Sequence, residues 1–156
     1  MKLAKFPAIV GLVLALLLLF SVSPAQALML SVARDNVNMR TGPGTKYKIK
    51  WKLSKGFPLK VLKRKGNWYR VRDFEGDIGW IHKSVVNRQA HMIVKVHRGK
   101  NKKINIRSGP GTKYRIVGKA YYGVVFKTLK KQKGWVKVKH EKGVQGWVKR
   151  TLLWGW

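Results

Sequence analysis

The chain has no cysteine among its 156 residues. That excludes disulfides, thiolate zinc sites, a cysteine nucleophile and a lipidated cysteine. Histidine is sparse as well. His82, His91, His97 and His140 are scattered without metal-ligand spacing, so no metal is expected. Acids are almost as scarce: five Asp+Glu stand against 35 Lys+Arg, a formal net charge of +30. Three of the acids, Asp73, Glu75 and Asp77, crowd one tight hairpin. A paired-carboxylate glycosidase needs two carboxyls across a cleft at a set separation. These three read instead as neutralisers of nearby Lys and Arg. No catalytic residue emerges, no cofactor is implied, and the expectation is a protein that is not an enzyme.

What is present begins with an export signal. Lys2 and Lys5 precede an apolar run from Ala8 to Phe20, and Ala25-Gln26-Ala27 has the small-x-small cleavage pattern. Residues 1–27 are read as a signal peptide cleaved after Ala27, with periplasmic or secreted localisation. The run is shorter than the ~20 apolar residues of a membrane span. Without Lys2 and Lys5 the chain still carries about +28. Such density repels itself and makes physical sense beside a polyanion. Nucleic acid is not expected in that compartment. Peptidoglycan carboxylates, lipopolysaccharide phosphates, wall polymers and anionic lipid headgroups are the candidates.

The rest is one sequence written twice. Residues 38–86 and 105–153 align without a gap at an offset of 67, and about 19 of 49 positions are identical. Val37–Tyr47 (VNMRTGPGTKY) returns as Ile104–Tyr114 (INIRSGPGTKY). Trp68, Val71, Gly76, Gly79 and Trp80 return as Trp135, Val138, Gly143, Gly146 and Trp147. Glycine-punctuated runs rich in β-branched and aromatic residues, with no helical period, predict a small all-β barrel of five or so strands per copy. Expected strands include Leu28–Val32, Ile49–Leu53 and Leu59–Lys63, with Met92–Val96, Ile116–Ala120 and Val125–Lys130 in the second copy. The domains are read as 28–86 and 92–156, joined by a linker at 87–91.

Alternation assigns the faces. Tyr69 and Val71 point to the core; Trp68, Arg70 and Arg72 point away from it. In the second copy Val136 and Val138 oppose Trp135, Lys137 and Lys139. The G-P-G loop leads into a strand, not a helix, which argues against a phosphate cradle. Arg40 and Arg107, just before that loop, either hold its carbonyls or recognise a carboxylate or phosphate. Trp68 and Trp135 either pack on the loop or line a groove that Tyr47 and Tyr114 flank. Trp80 and Trp147 favour packing. The Leu152–Trp156 tail favours docking as a last strand over an interfacial anchor.

N-x-R-x-G-P-G-T-x-Y, a glycine turn, W-x-x-V and a closing G-x-x-G-W resemble the bacterial SH3-like (SH3b) domain. The first copy is similar to an SH3-like variety found in envelope proteins. The second differs at Gly118, His140 and Glu141, where the first has Trp51, Asp73 and Phe74. The resemblance implies two tandem SH3-like β-barrels and, from the family's habit of accompanying wall hydrolases, binding of peptidoglycan. The expected function is non-catalytic binding of an anionic cell-wall polymer through Arg40, Tyr47, Trp68, Arg70, Arg72, Arg107, Tyr114, Trp135, Lys137 and Lys139. The alternatives are docking of an acidic envelope protein, or of lipopolysaccharide or anionic lipid. The sequence leaves the oligomeric state open.

Overall fold

A computed structural model describes residues 27–156. The expected signal peptide, apart from Ala27, lies outside the described residues. The first repeat contains β1 (Met29–Val32), β2 (Val37–Arg40), β3 (Ile49–Leu53), β4 (Pro58–Lys65), β5 (Trp68–Arg72), β6 (Ile78–His82) and β7 (Val86–Asn87). The second contains β8 (His91–Val94), β9 (Ile104–Arg107), β10 (Ile116–Ala120), β11 (Val125–Gln132), β12 (Trp135–Lys139), β13 (Gln145–Lys149) and β14 (Leu153–Gly155). Each repeat forms one antiparallel sheet. The first has the order β3-β2-β6-β5-β4-β1-β7, and the second repeats that order strand for strand. Both are small all-β units, as expected.

Seven strands replace the expected five or so. β2 lies just before the G-P-G loop, where no strand is expected from the sequence, yet its Val37 and Met39 are buried and pair with β3. β7 and β14 follow 3-10 turns at Lys83–Val85 and Arg150–Leu152 and close each sheet against its first strand. The expected linker is shorter too: Asn87 pairs with Ser31 and His91 opens β8, so only 88–90 lie between strands.

The cores follow the alternation. Leu59, Val71 and Ile81 have no exposed surface in the first barrel, nor do Val136, Val138 and Val148 in the second. Burial of such side chains contributes about 1.5–3 kcal/mol each. The tail docks: β14 pairs with β8, and Arg150 Nη1 donates to the Leu153 carbonyl at 2.8 Å.

The two barrels also touch. The β5–β6 tip of the first repeat lies on the turn before β11. Phe74 and Tyr122 rings pack at a tilt of 46° with centroids 5.3 Å apart, the Tyr122 hydroxyl donates to Glu75, and Arg98 pairs with Glu75 at 3.4 Å. Burial and the Glu75 carboxylate push the Tyr122 hydroxyl up to about 12. Nearby, His91 Nδ1 lies 3.0 Å from the Ser31 hydroxyl.

Candidate functional site

Each barrel turns one sheet face outward, built by β4–β5–β6 and by β11–β12–β13. Register arranges that face in rows. In the first barrel they are Lys65–Trp68–His82, Lys63–Arg70–Trp80–Arg40 and Lys60–Arg72–Ile78. In the second they are Gln132–Trp135–Lys149, Lys130–Lys137–Trp147–Arg107 and Lys127–Lys139–Gln145. A bulge sets this arrangement. Val61 faces Val71 across β4 and β5, and the register shift that follows brings Lys63 opposite Arg70. The same shift between Thr128 and Lys130 brings Lys130 opposite Lys137.

The consequence is electrostatic. Lys60 opposes Arg72, Lys63 opposes Arg70, Lys127 opposes Lys139 and Lys130 opposes Lys137. Like charges directly across a sheet destabilise it. Ion pairs among the described residues join Lys50 to Asp77 and Arg98 to Glu75, so neither relieves these rows. Both barrels keep the arrangement at aligned positions. Its chemical complement is an extended polyanion laid along the face.

The expected site residues divide into three groups. Arg70, Arg72, Lys137 and Lys139 stand in the rows. Arg40 and Arg107 start the loops: Arg40 Nη1 donates to the carbonyls of Thr45 and Tyr47 at 2.9 and 2.8 Å, and Arg107 Nη1 to those of Thr112 and Tyr114, both at 2.8 Å. These bonds hold the G-P-G loop in both copies. Tyr47 and Tyr114 remain partly exposed, with the Lys46 and Lys113 ammonium groups each 5.7 Å from the adjacent ring centre.

Trp68 and Trp135 do not have equivalent surroundings. Trp68 meets His82 edge-on at 5.2 Å and shares a depression of about 440 Å³ with Gly44 and Thr45 of the G-P-G loop. Trp135 lines one of about 250 Å³ with Lys131, Lys133 and Arg150, away from its own loop. Trp68 and Arg72 sit at opposite ends of β5, roughly 13 Å apart along the strand. The structure therefore brings Trp68 together with the loop, but not with Arg72. Lys139 likewise stands away from Trp135 and, with Lys127 and Gln145 of its row, lines the cleft between the barrels.

Sequence reasoning missed Lys60, Lys63, Lys127 and Lys130. The signal was present, because the four form two identical pairs at the repeat offset. Only the bulge shows that they stand opposite the β5 and β12 cations. Trp80 belongs to the same face, with Lys63 Nζ 5.8 Å from its ring centre, whereas Trp147 is buried. Trp51 was also missed as a surface feature: it is 49% exposed, and its Nε1 donates to Asp77 at 3.2 Å.

The clustered acids have structural partners. Asp73 is buried and accepts from the backbone N–H groups of Glu75 and Asp77 at 2.9 and 2.8 Å. Burial raises its carboxyl above the usual range, against those two hydrogen bonds. Asp77 is held below it, chiefly by its hydrogen bond with Lys50. No group of three or more metal-ligating side chains occurs among the described residues.

The two barrels also match known proteins. A family model for the bacterial SH3 domain matches residues 33–87 and 100–155. YrvJ of Bacillus subtilis, named as an N-acetylmuramoyl-L-alanine amidase, is 29% identical over 123 residues, 75% of this chain and 24% of that protein. LytH of Staphylococcus epidermidis, named as a cell wall amidase, is 38% identical over 48 residues, 30% of this chain and 16% of that protein. Among solved structures, an NlpC/P60 family protein from Bacillus cereus aligns with 83% of this chain and 56% of its own. The TM-score is 0.38 and the identity 12%. The chain thus spans about a quarter or less of the curated relatives it matches. With one family match on each barrel, together covering most of its length, the chain belongs to the bacterial SH3 domain family.

Proposed function

We propose that this protein is a non-catalytic, exported binding protein that holds an anionic cell-envelope polymer, peptidoglycan first among them, along the outer faces of its two barrels. The like-charge rows carry this reading. Four cation pairs are set opposite one another at a cost to the sheet, and both barrels keep them. A carboxylate-bearing polymer offsets that cost on binding. YrvJ and LytH support the choice of polymer, because both are named as amidases of wall chemistry and share these domains with this chain. They also support a location outside the cytoplasm, periplasmic or secreted. Two binding faces on one chain raise avidity through effective concentration where both reach the same polymer.

The test is co-sedimentation of the protein with purified sacculi at low salt and at ~0.5 M, where the Debye length falls to a few Å. Binding is expected to be strong at low salt and to drop steeply at high salt. A variant with Lys63→Ala, Arg70→Ala, Lys130→Ala and Lys137→Ala, checked for an unchanged melting temperature, is expected to lose most of it. Retention by lipopolysaccharide or anionic vesicles but not sacculi, or capture only by one acidic protein, overturns the choice of polymer.

A further inference from the structure

The two barrels meet through reciprocal parts. The β5–β6 tip of the first repeat faces the turn before β11 in the second. The β12–β13 tip of the second faces the corresponding turn, before β4, in the first. One meeting is closed by Phe74 against Tyr122. At the aligned positions of the other stand Glu141 and Lys55, and these line an open cleft of about 640 Å³. The cleft exists because an aromatic pair in one place is a pair of charged residues in the other.

Its chemistry is mixed. Val125 and Leu129 of β11 contribute apolar surface. Lys55 from one barrel and Lys127 and Lys139 from the other line the cleft together with His91. Glu141 stands on the β12–β13 tip, where its carboxylate has no ion-pair partner among the described residues. Asp35, the other acid in the lining, already accepts from the Lys55 backbone N–H at 2.8 Å. The volume is that of a small-molecule site, and such sites favour the junction between domains.

We infer that the cleft between the barrels binds a short peptide with free termini, its carboxylate between Lys55 and Lys127 and its amino group toward Glu141. The apolar strand face takes the side chains. This goes beyond polymer binding by the outer faces. Lys127 also ends an outer row, but Lys55 and Glu141 belong to none, so the two readings fail separately at those two residues.

The test uses the full protein and the dipeptide alanyl-alanine, followed by amide-resolved NMR, with alanyl-alanine amide, N-acetyl-alanyl-alanine and inorganic phosphate as comparison probes. The free dipeptide is expected to shift the signals of Lys55, Val125, Lys127 and Glu141 saturably. Blocking either end is expected to weaken binding about tenfold, the scale of one charged hydrogen bond. Lys55→Ala and Glu141→Gln, each with an unchanged spectrum elsewhere, are expected to weaken the free dipeptide similarly and to leave sacculus binding intact. Shifts confined to the outer rows that leave Lys55, Val125 and Glu141 unmoved, equal binding of the blocked peptides, or phosphate matching the dipeptide at the same residues overturns the proposal. So does the absence of saturable shifts.

Discussion

The hairpin tips of the two repeats carry opposite chemistry at aligned positions. Asp73-Phe74-Glu75 in the first corresponds to His140-Glu141-Lys142 in the second. Both tips solve the same local problem. Asp73 accepts from two backbone N–H groups beyond it, and His140 Nδ1 accepts from that of Lys142 at 3.2 Å. Beyond this they part. The first tip carries an aromatic ring and an acid and seats both on the other barrel; the second carries two charged residues and borders a cleft. The G-P-G loop, by contrast, is kept nearly letter for letter, because its arginine and its carbonyls form one closed hydrogen-bonded unit in each copy. In these two parts, identity marks what each barrel needs alone, and divergence marks where the barrels face each other.

The largest expected effect tests the first half of that statement. Gly79 and Gly146 are identical because β6 and β13 cross β2 and β9 closely. A Cβ at Gly146 would lie 2.6 Å from the Arg107 carbonyl oxygen, which is backbone and cannot yield. A Cβ at Gly79 would meet Met39 Cγ at 2.6 Å and the Arg40 oxygen at 3.0 Å, and a methionine can move. Gly146→Ala is expected to cost about 3 kcal/mol and Gly79→Ala about 1–2 kcal/mol. Urea titration of both variants measures this, and equal losses would show that the two crossings are equivalent.

The second half is tested at the tips. Phe74 meets Phe57 edge-on at 5.8 Å as well as packing against Tyr122, so it ties its own barrel to the other. Phe74→Ala is expected to cost about 1–2 kcal/mol, less than a fully buried ring, and to separate the melting of the two barrels into two transitions. Glu141→Ala, at the aligned position, is expected to stay within about 0.5 kcal/mol. Scanning calorimetry decides it. A single unshifted transition in Phe74→Ala would mean that the closed contact couples nothing.

These contrasts also explain what could be read beforehand. The inward faces were legible, because alternation places Val71 and Val138 without any knowledge of neighbours. Ile49–Leu53 and Ile116–Ala120 were found to the residue, bounded as they are by turn signals. β2 was hidden, because four residues directly before a turn motif look like part of the turn. The cation rows were half visible. The β5 and β12 members follow from alternation, while their partners on β4 and β11 depend on a bulge that has no local signature. The contact of Phe74 with Tyr122 was not legible at all. It joins residues far apart in sequence, and an aromatic residue at a hairpin tip carries no mark of what it will meet.

The smallest effect concerns the β4–β5 and β11–β12 turns, where the repeats spell the same hairpin differently. Gly66-Asn67 puts one residue at positive φ, 56°, as a type II′ turn requires; Lys133-Gly134 puts both there, at 44° and 79°, as in type I′. Lysine holds the left-handed region at a cost of about 1 kcal/mol, whereas asparagine tolerates it. Lys133→Asn is therefore expected to stabilise the second barrel by about 0.5 kcal/mol, a rise of roughly 2–4 °C in melting temperature. Removing a cation from so basic a chain would raise it too, so Lys131→Asn serves as the control. Lys131 is exposed on the same hairpin and is not at positive φ. An equal rise in both variants would assign the gain to charge relief. A rise confined to Lys133→Asn would assign it to the turn, and would show that the second repeat keeps a strained lysine in the wall of the depression that Trp135 lines.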